Sequence, residues 1–247
     1  RGSRSISRVA KPAVWILCIL PALLLGWNLW LALRGEPNSL GAEPVEKLQQ
    51  ETGEWALRFL ALTLAVTPAR RLLGWSWALR YRRMLGLFAF FYAALHLANF
   101  IGLDHFFAFA DIAEDILERP WITIGMVSFL LLVPLAVTST RGWIRRLGGR
   151  RWNRLHQLIY LAAAGGTLHF FLAVKKDLRE PFIYAAIFAV VRSVLLRSFG
   201  WAQESGLGGM SIKDLSKHDK VRSMIQDAVD KMNKDLASYE TIKRFAV

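Results

Sequence analysis

The sequence predicts an all-α, polytopic membrane protein, a bundle of six transmembrane helices followed by an amphipathic helical tail. Three observations predict it. Hydrophobic residues make up 54% of the 247-residue chain, above the roughly 45–50% of soluble domains. Charged residues still make up 21%, so at a mean hydropathy of +0.30 the two classes must be segregated in blocks. Six apolar stretches also reach or approach the roughly 20 residues that a helix needs to cross a bilayer. This composition excludes a soluble enzyme.

The elements follow in order. Residues 1–11 form a short basic segment. The first apolar stretch, 12–33, is too long for the apolar region of a cleaved signal peptide, and no small-x-small site precedes the next polar loop. It contains Cys18, the single cysteine, so a disulfide framework, a Cys-rich zinc site and a CxxCH haem attachment are all excluded. The second stretch, 53–68, is the shortest and carries Arg58, which a tilt or a snorkelling side chain accommodates. The remaining four are 84–103, 120–138, 155–174 and 181–199. Together residues 12–200 read as one membrane domain. A Gly-rich linker over 201–210 then leads to a polar segment, 211–247. There Val221, Ile225, Ala228, Met232, Leu236, Tyr239 and Ile242 recur at three- and four-residue steps, the pattern of an amphipathic helix.

Lysine and arginine sort the loops by side. The N-terminal segment, the second loop (Arg70, Arg71, Arg80, Arg82, Arg83) and the fourth loop (Arg141, Arg145, Arg146, Arg150, Arg151, Arg154) are rich in them. The odd loops hold only Arg34, Lys47, Arg119, Lys175, Lys176 and Arg179, and they also carry Glu43, Glu46, Asp111, Glu114 and Asp115. The positive-inside rule therefore places both termini in the cytoplasm and the odd loops on the opposite side. The net charge of +13 is thereby accounted for by topology, and no nucleic-acid partner is expected.

Ionisable side chains at membrane depth point to function. Of the five histidines, His105 in an odd loop and His218 in the tail are expected to be solvated surface residues. His96 lies 12 residues into the third stretch, roughly 18 Å deep, and His169 lies 14 residues into the fifth, roughly 21 Å deep at the rise of an α-helix. Two imidazoles at matched depth on different helices suit axial ligation of a haem, with no open position and hence electron transfer rather than oxygen chemistry. His156 precedes His169 by 13 residues, about 19–20 Å along the axis, a separation that suits a second haem in the opposite leaflet. The matching slot on the third stretch holds Arg82 or Arg83. These arginines are candidates for haem propionates, where a guanidinium fork matches carboxylates, or for a second-haem ligand. Arg58 and Arg192 are further propionate candidates.

At this point an ordered set of segments becomes informative. It runs Leu40-Gly-Ala-Glu-Pro-Val45, Thr52-Gly53, Thr67-Pro68, Arg82-Arg-Met-Leu-Gly86 and Leu95-His-Leu97. It continues with Arg119-Pro-Trp-Ile-Thr-Ile-Gly125, Thr138-Ser-Thr140, Trp152-Asn-Arg-Leu-His156 and Leu168-His169. With its histidines about thirteen residues apart, the chain over roughly 12–200 resembles the ferric reductase-like transmembrane superfamily. Within it, the chain is similar to the haem-binding membrane subunits of bacterial periplasmic methionine sulfoxide reductase systems. The resemblance implies one or two b-type haems and an associated FMN, whose site no segment here reveals. It implies a bacterial inner-membrane location, with quinol or a cytoplasmic flavin reductase as donor. The acceptor it implies is a periplasmic molybdopterin enzyme that reduces methionine sulfoxide in oxidised proteins. The chain would be an electron-transfer subunit in the lipid bilayer, not the catalytic subunit, since thiol-based sulfoxide reduction needs a nucleophilic cysteine and Cys18 lies at lipid depth. A self-contained metalloreductase of the same superfamily and a non-haem transporter are the rival readings. Separately, Leu236-Ala-Ser-Tyr-Glu-Thr-Ile-Lys-Arg-Phe245 resembles the extreme C-terminus of AMP-forming long-chain acyl-CoA ligases. It lacks that family's adenylate-binding parts, so the tail is read as a soluble appendage or fusion remnant.

Overall fold

The computed structural model describes residues 2–174 and 179–204, with residues 223, 226 and 230 of the tail. Among the described residues every regular element is helical. The chain opens with α1 (Gly2–Leu33) and α2 (Pro44–Leu73), which starts on a proline and ends at Gly74 in the left-handed conformation, φ 70°. Only glycine takes that conformation freely, which is why helices end on it so often. A 3₁₀ turn leads into α3 (Leu79–Asn99), and a π-helical turn, Phe100–Asp104, prolongs it. The next elements are α4 (Phe109–Glu118) and α5 (Pro120–Val137), then α6 (Arg141–Leu147) and α7 (Gly149–His156). The last are α8 (Leu158–Ala173) and α9 (Arg179–Glu204). Among the described residues, four segments are long and apolar enough to cross a membrane: Lys11–Leu33, Ser76–Asp104, Pro120–Val137 and Gly149–Ala173. Their outward residues, such as Leu17, Leu23, Leu130 and Leu161, are exposed, as a lipid-facing surface requires.

The core is a ring of four helices. α2 packs on α3 and α5 on α8, and α3–α5 and α2–α8 contacts close the ring. Between α2 and α3, Phe59 stacks on Tyr92 at 5.2 Å and on Phe88 at 5.7 Å. Between α5 and α8 the backbones approach so closely that a Cβ on Gly165 would overlap the Ser128 hydroxyl. Small residues permit such approach where lipid supplies no hydrophobic drive between helices. Buried hydroxyls are satisfied within their own helices: Thr52 bonds the Leu48 carbonyl, Thr63 that of Phe59 and Thr167 that of Ala163.

Helix α1 is tied to this ring by the edge of Trp15 against Phe88, at 6.0 Å, and by the Tyr92 side chain. The Tyr92 hydroxyl donates to the Cys18 carbonyl (2.9 Å) and accepts from the Ala22 amide (3.0 Å). These are the two ends of one helical hydrogen bond, so the phenol inserts into the α1 ladder beside Pro21, a residue that already breaks it.

The shortest apolar stretch of the sequence turns out to lie in the most enclosed helix. Along α2, Leu57, Phe59, Leu60, Leu64 and Val66 are all buried, and so is Glu54. The Glu54 carboxylate accepts from Arg58 at 2.6 Å, Arg58 lies 3.9 Å from Glu51, and its guanidinium covers the Trp55 ring at 4.7 Å. Glu51 also pairs with Lys47 at 3.1 Å, so the charges near the start of this run pair off one helical turn apart, Lys47 with Glu51 and Arg58 with Glu54.

The chain divides into two compact units, Arg1–Val194 and Leu195–Val247. In the second, the end of α9 is helical and Gln226 donates to Asp230 at 3.2 Å. The expected linker and tail over 201–247, His218 included, otherwise lie outside the described residues.

Candidate functional site

The four-helix ring brings His96 of α3 and His169 of α8 together, with ring centroids 6.0 Å apart and ring planes at 78°. The matched depth expected from residue counting is therefore matched position. Both side chains are half-buried.

Each ring sits in a slot cut into the neighbouring helix, and the two slots share one construction. For His96 the slot is Gln49 and Gly53 of α2, one turn apart. The Gln49 carbonyl faces Nδ1 at 2.9 Å, and a Cβ on Gly53 would stand 3.1 Å from the ring. For His169 it is Trp121 and Gly125 of α5, again one turn apart. The Trp121 carbonyl faces Nδ1 at 2.6 Å, and a Cβ on Gly125 would meet the ring at 2.9–3.1 Å. A carbonyl can only accept, so in both rings Nδ1 carries the proton and donates it. The lone pair is left on Nε2. This is the tautomer of a metal-ligating histidine whose other nitrogen is tied to a carbonyl.

The donor set fits an axially ligated haem. Two imidazoles bonded at about 2.0–2.1 Å on opposite sides of one metal ion would set their centroids roughly 6.4 Å apart, close to the 6.0 Å observed. Among the described residues no group of three His, Cys, Asp or Glu side chains is placed to hold a metal ion. Two histidines are the protein ligands required by an iron whose other four donors come from a porphyrin.

His156 is placed apart from this pair, at the junction of α7 and α8. Its ring stacks on Trp152 at 3.8 Å, and the Trp152 indole donates to the Thr138 carbonyl. The Thr138 hydroxyl donates to the Pro134 carbonyl at 2.6 Å, so at 3.2 Å it accepts from His156 Nε2. Arg82 is a charged neighbour of His156, whereas Arg83 is exposed. Arg58 is engaged by Glu54 and Glu51. The side chain of Arg192 lies outside the described residues. His105 is not the solvated residue expected of a loop histidine. Its side chain is 14% exposed, with Nε2 on the Asp115 carboxylate at 3.1 Å and Nδ1 facing the Phe100 carbonyl.

Sequence reasoning missed Gln49 and Asn99 altogether, and it named Gly53, Trp121 and Gly125 only within the segments of the resemblance, without a role at the site. The glycines did carry a signal, since each stands inside a helix where alanine would be about 1 kcal/mol better.

A family model described as the ferric reductase like transmembrane component matches residues 52–167, which include all of α3 and α5 and most of α2 and α8. Several curated relatives are named protein-methionine-sulfoxide reductase heme-binding subunit MsrQ. That of Rhodospirillum rubrum is 52% identical over 189 residues, covering 76% of this chain and 88% of the relative. That of Xanthomonas euvesicatoria is 51% identical over 182 residues, covering 74% and 83%. That of Caulobacter vibrioides is 49% identical over 191 residues, covering 77% and 88%.

Proposed function

Because the chain belongs to the MsrQ-type haem-binding subunits of the ferric reductase-like transmembrane family, we propose that it carries electrons across a bacterial inner membrane to a periplasmic methionine sulfoxide reductase. The observation that carries this reading is the His96–His169 pair, 6.0 Å apart with both Nδ1 atoms committed to carbonyls. His96 and His169 would be the axial ligands. A b-type haem held by these two residues would supply reversible one-electron chemistry. The chain's own task is to hold two neutral imidazoles rigidly in an apolar surround, so that little rearranges when an electron arrives or leaves.

The finer features belong to the same proposal. Helices α2 and α9 serve as the second and sixth spans of a domain over residues 12–200. Both termini lie in the cytoplasm, and the odd loops face the periplasmic molybdopterin partner. His156 marks a second haem site at the cytoplasmic edge, with Arg82 as its neighbour for a propionate or as its ligand. Electrons enter there from quinol or a flavin reductase. FMN rests on the family resemblance, and no residue is assigned to it.

An absorbance spectrum of the chain purified in detergent tests the reading. A reducible b-type Soret and α-band, lost from the low-spin form in His96→Ala and in His169→Ala, is expected. A colourless protein, or unchanged spectra in both variants, overturns it.

A further inference from the structure

Beyond the ligand pair itself, one polar chain runs through the His96 slot in a single sense. Asn99 is 5% exposed, and its amide Nδ2 donates to the Val45 carbonyl (3.3 Å) and to the Gln49 side-chain oxygen (2.6 Å). The Gln49 amide nitrogen in turn faces His96 Nε2 at 3.3 Å, and His96 Nδ1 donates to the Gln49 carbonyl.

No member of this chain can be reversed. Flipping Asn99 would point its oxygen at two acceptors. Flipping Gln49 would set its nitrogen against the Asn99 nitrogen and its oxygen against the His96 lone pair. Moving the imidazole proton to Nε2 would set a lone pair against a carbonyl. The chain begins and ends on backbone carbonyls, and its direction fixes which nitrogen of His96 is free to bind a metal. One atom is left over: Asn99 Oδ1, buried and without a hydrogen-bond partner. Buried acceptors are rarely left so.

We propose that Gln49 and Asn99 are positioning residues for His96, and that the Gln49 amide turns from His96 Nε2 to Asn99 Oδ1 when Nε2 binds iron. Iron takes the lone pair on which the Gln49 N–H rests. The displaced donor and the orphaned acceptor already belong to side chains joined by a 2.6 Å bond. The turn converts that single bond into a closed pair of two amide–amide bonds. Asn99 thus keeps an acceptor in reserve for the donor that ligation releases. The inference rests on His96 being a haem ligand.

The test is the rate at which the full chain, loaded with haem, loses it to excess apomyoglobin, together with the low-spin EPR signal. Asn99→Leu strips the released Gln49 donor of its acceptor, and haem loss should quicken by about 10–100-fold, the usual effect of removing an outer partner of a metal ligand. Gln49→Met removes the donor but leaves Asn99 with an unpaired amide, and it should also quicken loss. The double variant leaves neither group stranded, and it should recover most of the wild-type rate with a wild-type EPR signal. Effects that multiply in the double variant would mark Gln49 and Asn99 as packing residues and overturn the proposal. So would wild-type rates in both single variants. His96→Ala is measured alongside: if it keeps its haem, the ligand assignment itself has failed, an outcome distinct from the other two.

Discussion

Replacing Gly125 by alanine adds one methyl group to the wall of the His169 slot. The new Cβ would stand 2.9 Å from Nδ1 and 3.1 Å from Cε1 and Cγ, against the 3.4–4 Å of ordinary contact. The ring must therefore retreat by about half an ångström. It cannot do so freely, because Nδ1 is tied to the Trp121 carbonyl at 2.6 Å. Overpacking of this kind costs about 1–3 kcal/mol, and a lost hydrogen bond adds about 0.5–1.5 kcal/mol. Against this, alanine gains up to about 1 kcal/mol of helix propensity over glycine. The fold should thus be only mildly destabilised, while the imidazole loses the orientation that ligation needs. Disturbing the partner that orients a metal-bound histidine typically costs 10–100-fold in metal affinity. Gly53→Ala, where the contact would be 3.1 Å, should act in the same direction and more weakly. Gly26→Ala in α1 meets nothing within 4 Å and serves as the control. The assay is haem per polypeptide after purification in detergent, with the thermal midpoint recorded in parallel. Full haem in Gly125→Ala, or equal haem loss in Gly26→Ala, would refute the reasoning.

Other outcomes follow from the same geometry. Tyr92→Phe leaves the Cys18 carbonyl and the Ala22 amide without their bridge, and should cost about 1–3 kcal/mol of stability with haem content unchanged, as thermal melts would show. Arg58→Ala leaves the buried Glu54 carboxylate with only the Gln50 amide as partner and should destabilise by about 3 kcal/mol, the low end for broken buried pairs because Arg58 is partly exposed. Glu54→Leu combined with Arg58→Leu should restore most of that loss. His156→Ala should leave the low-spin signal of the His96–His169 site intact while slowing its reduction by a cytoplasmic-side donor, and an unchanged stopped-flow rate would remove His156 from the electron path. Truncation after Glu204 should leave haem content and membrane insertion as they were.

The parts legible in the sequence are those that residue type reports. Histidine at lipid depth is rare and costly, so counting helical rise from the basic ends of two apolar stretches was enough to put His96 and His169 together. The slots that hold them were not legible in the same way. Their working atoms are the backbone carbonyls of Gln49 and Trp121, and any residue supplies a carbonyl. Only Gly53 and Gly125, each one turn further on, left a mark. Helix α2 misled in the opposite direction. Lys47, Glu51, Glu54 and Arg58 lower its apolar count, yet they pair off at one-turn spacing, Lys47 with Glu51 and Arg58 with Glu54, and the helix that looked least suited to lipid is enclosed by the others. The interruption at Gln157 between α7 and α8 has no proline or glycine to announce it. His105 was expected in solvent because a loop carries it, but the π-helical turn and α4 bring the Phe100 carbonyl and Asp115 to its two nitrogens.

Haem stoichiometry in the single and double histidine variants tests the central claim most directly. If His96 and His169 ligate one iron, His96→Ala and His169→Ala each lower haem by one per polypeptide, and the double variant lowers it no further. Wild-type stoichiometry in either single variant, or twice the loss in the double, would contradict it.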